Sequence, residues 1–191
     1  MNRDVSQPRS LWSRMIRAAR LDIDLYEEVE ADTSANLQAF AAVVLVGLAT
    51  GIGTGIGGVI EHDAIWFLWG ILVGLAASIG GWLLWALFAY VLGTTVFRGP
   101  ETEATYGQLL RTLGFAHSPG VLRILSFIPF LGGLLSFAAS VWVLVAGVIA
   151  GRQALDFSTG RAIATCLVGW LVYMLILFLV VGFVIGAGAL F

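Results

Sequence analysis

Few residues in this chain have the type and spacing for chemistry. Gly53, Gly55 and Gly58, within "ATGIGTGIGGVIEHD" at 49–63, spell G-x-G-x-x-G. That pattern cradles a dinucleotide pyrophosphate when a strand precedes it, a helix opens on it and an acid follows about 20 residues on. Here the preceding run, "LQAFAAVVLVGLAT", belongs to an apolar helix, and Ser78 stands where the acid should be. Nucleotide binding is set aside, and no cofactor is expected. His62 is flanked by Glu61 and Asp63, but three consecutive residues rarely converge on one metal and no second His is near. His117 stands alone in a connection. Ser126, Ser136, Ser140 and Thr165 lie in apolar surroundings without a base, where such hydroxyls bond helix carbonyls. A Ser/His/Asp set would have to draw His117 and Asp156 to a serine inside the membrane. The single Cys166 cannot form an internal disulfide. The expectation is a protein that is not an enzyme, holds no metal and binds no nucleic acid.

The elements around these residues explain the scarcity. The 191 residues are 59% hydrophobic and 12% charged, against roughly 25% charged in soluble domains. Three tracts, 37–60, 64–97 and 162–191, contain no Asp, Glu, Lys, Arg or His. A charge-free apolar run of about 18 residues or more reads as a transmembrane helix. The fold class is therefore an all-α, polytopic transmembrane bundle. The first tract follows a long charged segment and exceeds a signal-peptide core, so it reads as a retained anchor.

Five membrane segments are expected, at about 37–60, 64–90, 119–131, 134–151 and 162–189. The second tract is too long for one span. Trp66 and Trp69 mark one interfacial belt, and Trp82, Trp85 and Tyr90 the other. Residues 87–97 then continue past the interface or bend along it. Within 120–151, "IPFLGG" puts Pro129, Gly132 and Gly133 in the middle, a turn signal that makes a hairpin. Its first arm would be a short tilted span or a re-entrant segment, which must be buried in protein. All ten basic residues are Arg, a bias associated with GC-rich bacterial genomes. With a hairpin, every Arg cluster falls on one side: 3–20, Arg98 with Arg111, Arg123, and Arg152 with Arg161. The positive-inside rule makes that side cytosolic, with the N-terminus in and the C-terminus out. The expected location is a bacterial cytoplasmic (inner) membrane.

Residues 1–33 are set apart as a cytosolic segment, and 34–191 as the membrane domain. "RSLWSRMIRAAR" at 9–20 forms a basic amphipathic helix, with Leu11, Trp12, Met15, Ile16 and Ala19 on one face. Arg9, Arg14, Arg17 and Arg20 lie around the other. Such a helix suits a headgroup layer, with the arginines meeting anionic lipid. Packing on the protein's own cytosolic face suits it equally. The acidic stretch "LDIDLYEEVEADTSAN" follows, with Asp32 or Ser34 as helix cap. A second amphipathic surface helix is expected over 101–115, begun by Pro100. Small residues recur every four positions at Gly47, Gly51 and Gly55, and again at Gly70, Gly74 and Ser78. The hairpin's return arm repeats this with Ala146/Ala150 and Gly147/Gly151. Such rows let membrane helices approach closely.

The acidic pre-membrane segment "LDIDLYEEVEADTSANLQAF", the helix pair, "TLGFAHSPGVLRIL", the close hairpin and "GRQALDFSTGRAIATCLVGWL" together form a known pattern. The chain resembles the Yip domain family (Ypt/Rab-interacting proteins), especially its prokaryotic members, over about 22–185. The sharpest piece is a glycine, an aromatic, three residues and a proline: Gly114, Phe115 and Pro119. Phe115 stands where the family usually has Tyr. After Asp24, Leu25 and Tyr26 come Glu27 and Glu28, so the Gly-Pro of eukaryotic members is missing. The resemblance implies five spans, a cytosolic N-terminus and a role in membrane organisation or trafficking. It implies Rab-type GTPase contact in eukaryotic members, and the missing Gly-Pro argues against that contact here. Expected partners are membrane lipids, other membrane proteins or a second copy in a homo-oligomer. A small transporter or channel subunit is the alternative, because broken helices build transport sites.

Overall fold

The structure, a computed structural model, describes residues 10–99, 102 and 104–188. Arg9 and Pro100 lie outside the described residues. The order is α1 (Leu11–Ala19), α2 (Ile23–Ala31), a 3-10 turn (Thr33–Ala35), α3 (Asn36–Glu61), α4 (Ile65–Thr94), α5 (Tyr106–Ala116), a 3-10 segment (Ser118–Leu125), α6 (Leu131–Ala154) and α7 (Thr159–Gly188). Among the described residues, three helices are long and apolar enough to cross a membrane: α3 with its opening turn, α4 and α6. The stretch Thr159–Val172 of α7 is apolar too.

α3 and α4 form a tight antiparallel pair joined by the short loop at 62–64. The glycine rows meet face to face here. A Cβ on Gly51 would lie 2.7 Å from the Ile71 Cα, and one on Gly74 2.6 Å from the Gly51 Cα. Gly55 faces the Phe67 backbone, and Gly47 lies against Leu75 and Ser78. Ser78 also donates to the Val43 carbonyl at 2.9 Å. With both backbones in contact, dispersion holds the pair where lipid offers no hydrophobic drive.

α4 runs unbroken for 30 residues, about 45 Å at 1.5 Å per residue. That exceeds a hydrocarbon core of about 30 Å. The surplus is occupied by protein. Trp82 Nε1 donates to the Leu110 carbonyl of α5 at 2.9 Å, Tyr106 of α5 donates to Leu83, and the Tyr90 and Tyr106 rings meet edge-on. So α1, α2 and α5 cap one end of the bundle.

α5 departs from its expected bounds. It starts after Thr105, whose hydroxyl caps it in a reciprocal box with Gln108. The acidic stretch is also helical. α2 buries Leu25, Tyr26 and Val29 completely and leaves Asp24 and Glu27 exposed.

The expected arm at 119–131 is not an α-helix. A 3-10 segment descends along α3, then turns through Pro129 and Phe130 into α6. At about 2.0 Å rise per residue, eight 3-10 residues reach about 16 Å. The tight winding lets bare backbone meet bare backbone. A side chain at Gly53 would collide with the Arg123 carbonyl and Ser126 Oγ. One at Gly132 would collide with the Ser126 backbone, whereas Gly133 faces open space. Phe130 carries the turn at φ 63°, in the left-handed region.

Candidate functional site

Two features concentrate polar groups. The first is the cap. Arg14, on α1, is 2% exposed. Its Nη2 lies 2.8 Å from Glu28 Oε1 and 2.7 Å from Asp32 Oδ2, and its Nη1 reaches Gln38 Oε1 at 2.9 Å. Arg17 bridges Asp22 and Glu28, each at 2.7 Å. Arg111 of α5 donates to the Val29 and Glu30 carbonyls and closes the C-terminus of α2. Those carbonyls have no partner within their helix, so a cation there satisfies both bonding and dipole. Trp142 of α6 donates to the Ala19 carbonyl at the end of α1. The carboxylates respond to these neighbours. The Ser34 hydroxyl and then Arg14 hold Asp32 down to about 2. Burial pushes Glu28 up, but hydrogen bonds from Arg17 and Arg14 outweigh it and leave it below its ordinary value.

Arg14 and Arg17 pair with the protein's own carboxylates, because the acidic helix folds directly against α1. Arg20 is exposed. The outward face of α1 is instead apolar, with Trp12 63% and Ile16 53% exposed.

The second feature is a cavity of about 240 Å³ between α3, α4, the 3-10 segment, α6 and α7. Thr50, Ser78, His117, Arg123 and Ser140 give it polar walls, and Trp85 and Trp170 give it aromatic ones. Gly74, Ala77 and Gly81 leave the space. Arg123 Nη2 donates to Ser140 Oγ at 3.0 Å, and that hydroxyl donates to the Ser136 carbonyl. Thr50 Oγ1 is buried without a partner. The His117 Nδ1 lies 2.7 Å from the Leu113 carbonyl, so it carries the proton, and the ring meets Trp85 edge-on. Its Nδ1 partner is thus a backbone carbonyl and not a triad's carboxylate.

Arg123 was counted above with the Arg clusters of one membrane face. Its carbonyl instead packs on Gly53, seventeen residues into α3, about 26 Å along that helix. It lies within the bundle because the hairpin carries it there. The other isolated candidates stay apart. His62 stacks on Trp66 in the loop, and no metal-type cluster occurs among the described residues.

One turn delivers His117 and Arg123 to the cavity. Gly114 seats α5 on α3, where a Cβ would lie 2.9 Å from that of Ala39. Phe115 is fully buried and locks the turn; Ser118 donates to its carbonyl at 2.6 Å. Pro119 then opens the 3-10 segment. Residues 23–182 match the Yip1 domain. The chain belongs to the Yip1 domain family. No curated protein and no solved structure matches it.

The Yip1 domain match begins at the first residue of α2, inside the segment set apart above as 1–33. That agrees with α2 supplying core residues. Sequence reasoning missed Arg111 as a cap for α2 and Arg123 as a cavity residue. The spacing of Leu25 and Val29, one helical turn apart in an acidic run, was the available signal for α2.

Proposed function

We propose that this Yip1 domain protein is a non-enzymatic integral membrane scaffold that binds lipids or membrane-protein partners through its helical cap. In this reading the cap is cytosolic and the membrane is the bacterial cytoplasmic one, with the C-terminus outside. α1 lies in the headgroup layer, pinned to its own bundle. The observation that carries this is the exposed pair Trp12 and Ile16 on a helix whose inner face is clamped by Arg14. An amphipathic helix with outward Trp and Ile suits an interfacial position. The Yip family is associated with Rab-type GTPases and membrane partners in general; the missing Gly-Pro after Tyr26 weighs against the GTPase here. Ser78, Ser118 and Ser140 donate to backbone carbonyls, which supports a structural rather than a nucleophilic use of these three. Reconstitution tests the reading: vesicles holding the full chain should pass ions and small solutes no faster than empty vesicles. Flux that rises with protein density would contradict it.

A further inference from the structure

The cavity suits a particular chemistry, independently of where α1 lies. An ionisable side chain at membrane depth marks a functional site more often than a packing one. Arg123 is held there by two constraints. Its backbone is pressed on Gly53, and its guanidinium is tied to Ser140 across the hairpin. The guanidinium presents donors in a fixed planar fork suited to phosphate. On the wall of the same cavity, Thr50 Oγ1 is a buried hydroxyl with no protein partner. A buried hydroxyl left unbonded costs free energy, and a ligand oxygen would recover it. Ser78 and Ser140 also line the wall, but their hydroxyl protons are given to the Val43 and Ser136 carbonyls, which leaves Arg123 and Thr50 as the donors. The volume of about 240 Å³ equals about eight waters at about 30 Å³ each. That admits a phosphate group with part of its ester.

We propose that the cavity lined by Thr50, Ser78, Arg123 and Ser140 binds a phosphate group, with Arg123 as its principal donor and Thr50 as a second. The group is the phosphodiester of a phospholipid or a free phosphate, and the experiment has an arm for each. The delipidated full chain in detergent is titrated with phosphatidylglycerol, with inorganic phosphate, and with a phosphate-free galactolipid. Native mass spectrometry reads stoichiometry, and thermal unfolding reads affinity.

Saturable one-to-one binding of phosphatidylglycerol is expected. Arg123→Gln should weaken it about tenfold or more, as the loss of a charge-assisted bond does. Thr50→Val, which keeps the side-chain shape, should weaken it several-fold. Should Arg123→Gln fail to fold, Thr50→Val and Ser140→Ala carry the test. Saturable binding of inorganic phosphate with the same dependence on Arg123 or Thr50 supports the site with the free anion as its source. The proposal is overturned if the galactolipid binds equally well, if neither phosphate probe saturates, or if the folded variants bind like the parent.

Discussion

Arg14 and Asp32 meet at 2.7 Å, tying the first helix to the turn that opens the first membrane helix. The contact converts an acidic strip and a basic helix, which look like two solvated surfaces in sequence, into one clamp. Glu28 shares the same guanidinium, so a single side chain fastens α1, α2 and α3 together.

Arg14→Met should therefore release α1. Breaking a buried ion pair by removing one partner costs about 3–5 kcal/mol. Glu28 and Asp32 keep some contact with water, so about 2 kcal/mol is expected here. Amide exchange in the full chain should quicken across 11–19 and change little in α4. Unchanged protection of α1 would show that the clamp holds nothing.

The same clamp sets an acid response. Asp32 is held at about 2 and Glu28 below its ordinary value, whereas unfolded carboxylates titrate near about 4. A depressed folded value adds stability above the unfolded value, and this is lost as pH falls toward the folded one. Protection of α1 should thus decline between about pH 4 and pH 2. The double variant Asp32→Asn, Glu28→Gln should lose most of that pH dependence. An identical acid profile in parent and variant would refute the assignment.

Gly51 and Gly57 give a matched pair on one helix. A Cβ on Gly51 meets backbone at 2.7 and 2.8 Å, while one on Gly57 meets nothing within 4 Å. Gly51→Ala should cost about 1–3 kcal/mol through overpacking. Gly57→Ala should be neutral or stabilising, by up to about 1 kcal/mol of helix propensity. Thermal unfolding in one detergent compares them, and equal midpoints would mean the α3–α4 contact is looser than described.

What the sequence disclosed follows from which forces act locally. Charge-free tracts made the helical membrane class legible, and four-residue spacing named both glycine rows. Pro129 and the glycines after it marked the chain reversal before α6. Partner choice was not legible. Nothing near Arg14 says that Glu28 and Asp32 will reach it, since that depends on how α2 folds back. The depth of Arg123 was hidden because a 3-10 segment has no strong sequence period. Its placement depends on Gly53, seventy residues earlier. The α5 cap at Thr105 was readable from Thr-x-x-Gln, a capping-box spacing, but Pro100 was the louder signal.

The most direct measurement of the scaffold reading is the depth of residue 12. A spin label at Trp12→Cys, on a Cys166→Ala background, is compared in anionic vesicles with one at Asp24→Cys. Asp24 is exposed on α2. Relaxation by dissolved oxygen and by an aqueous nickel complex reports lipid and water contact. With α1 in the headgroup layer, position 12 should favour oxygen and position 24 nickel. Nickel contact at position 12 equal to that at position 24 would place α1 in water and contradict the account.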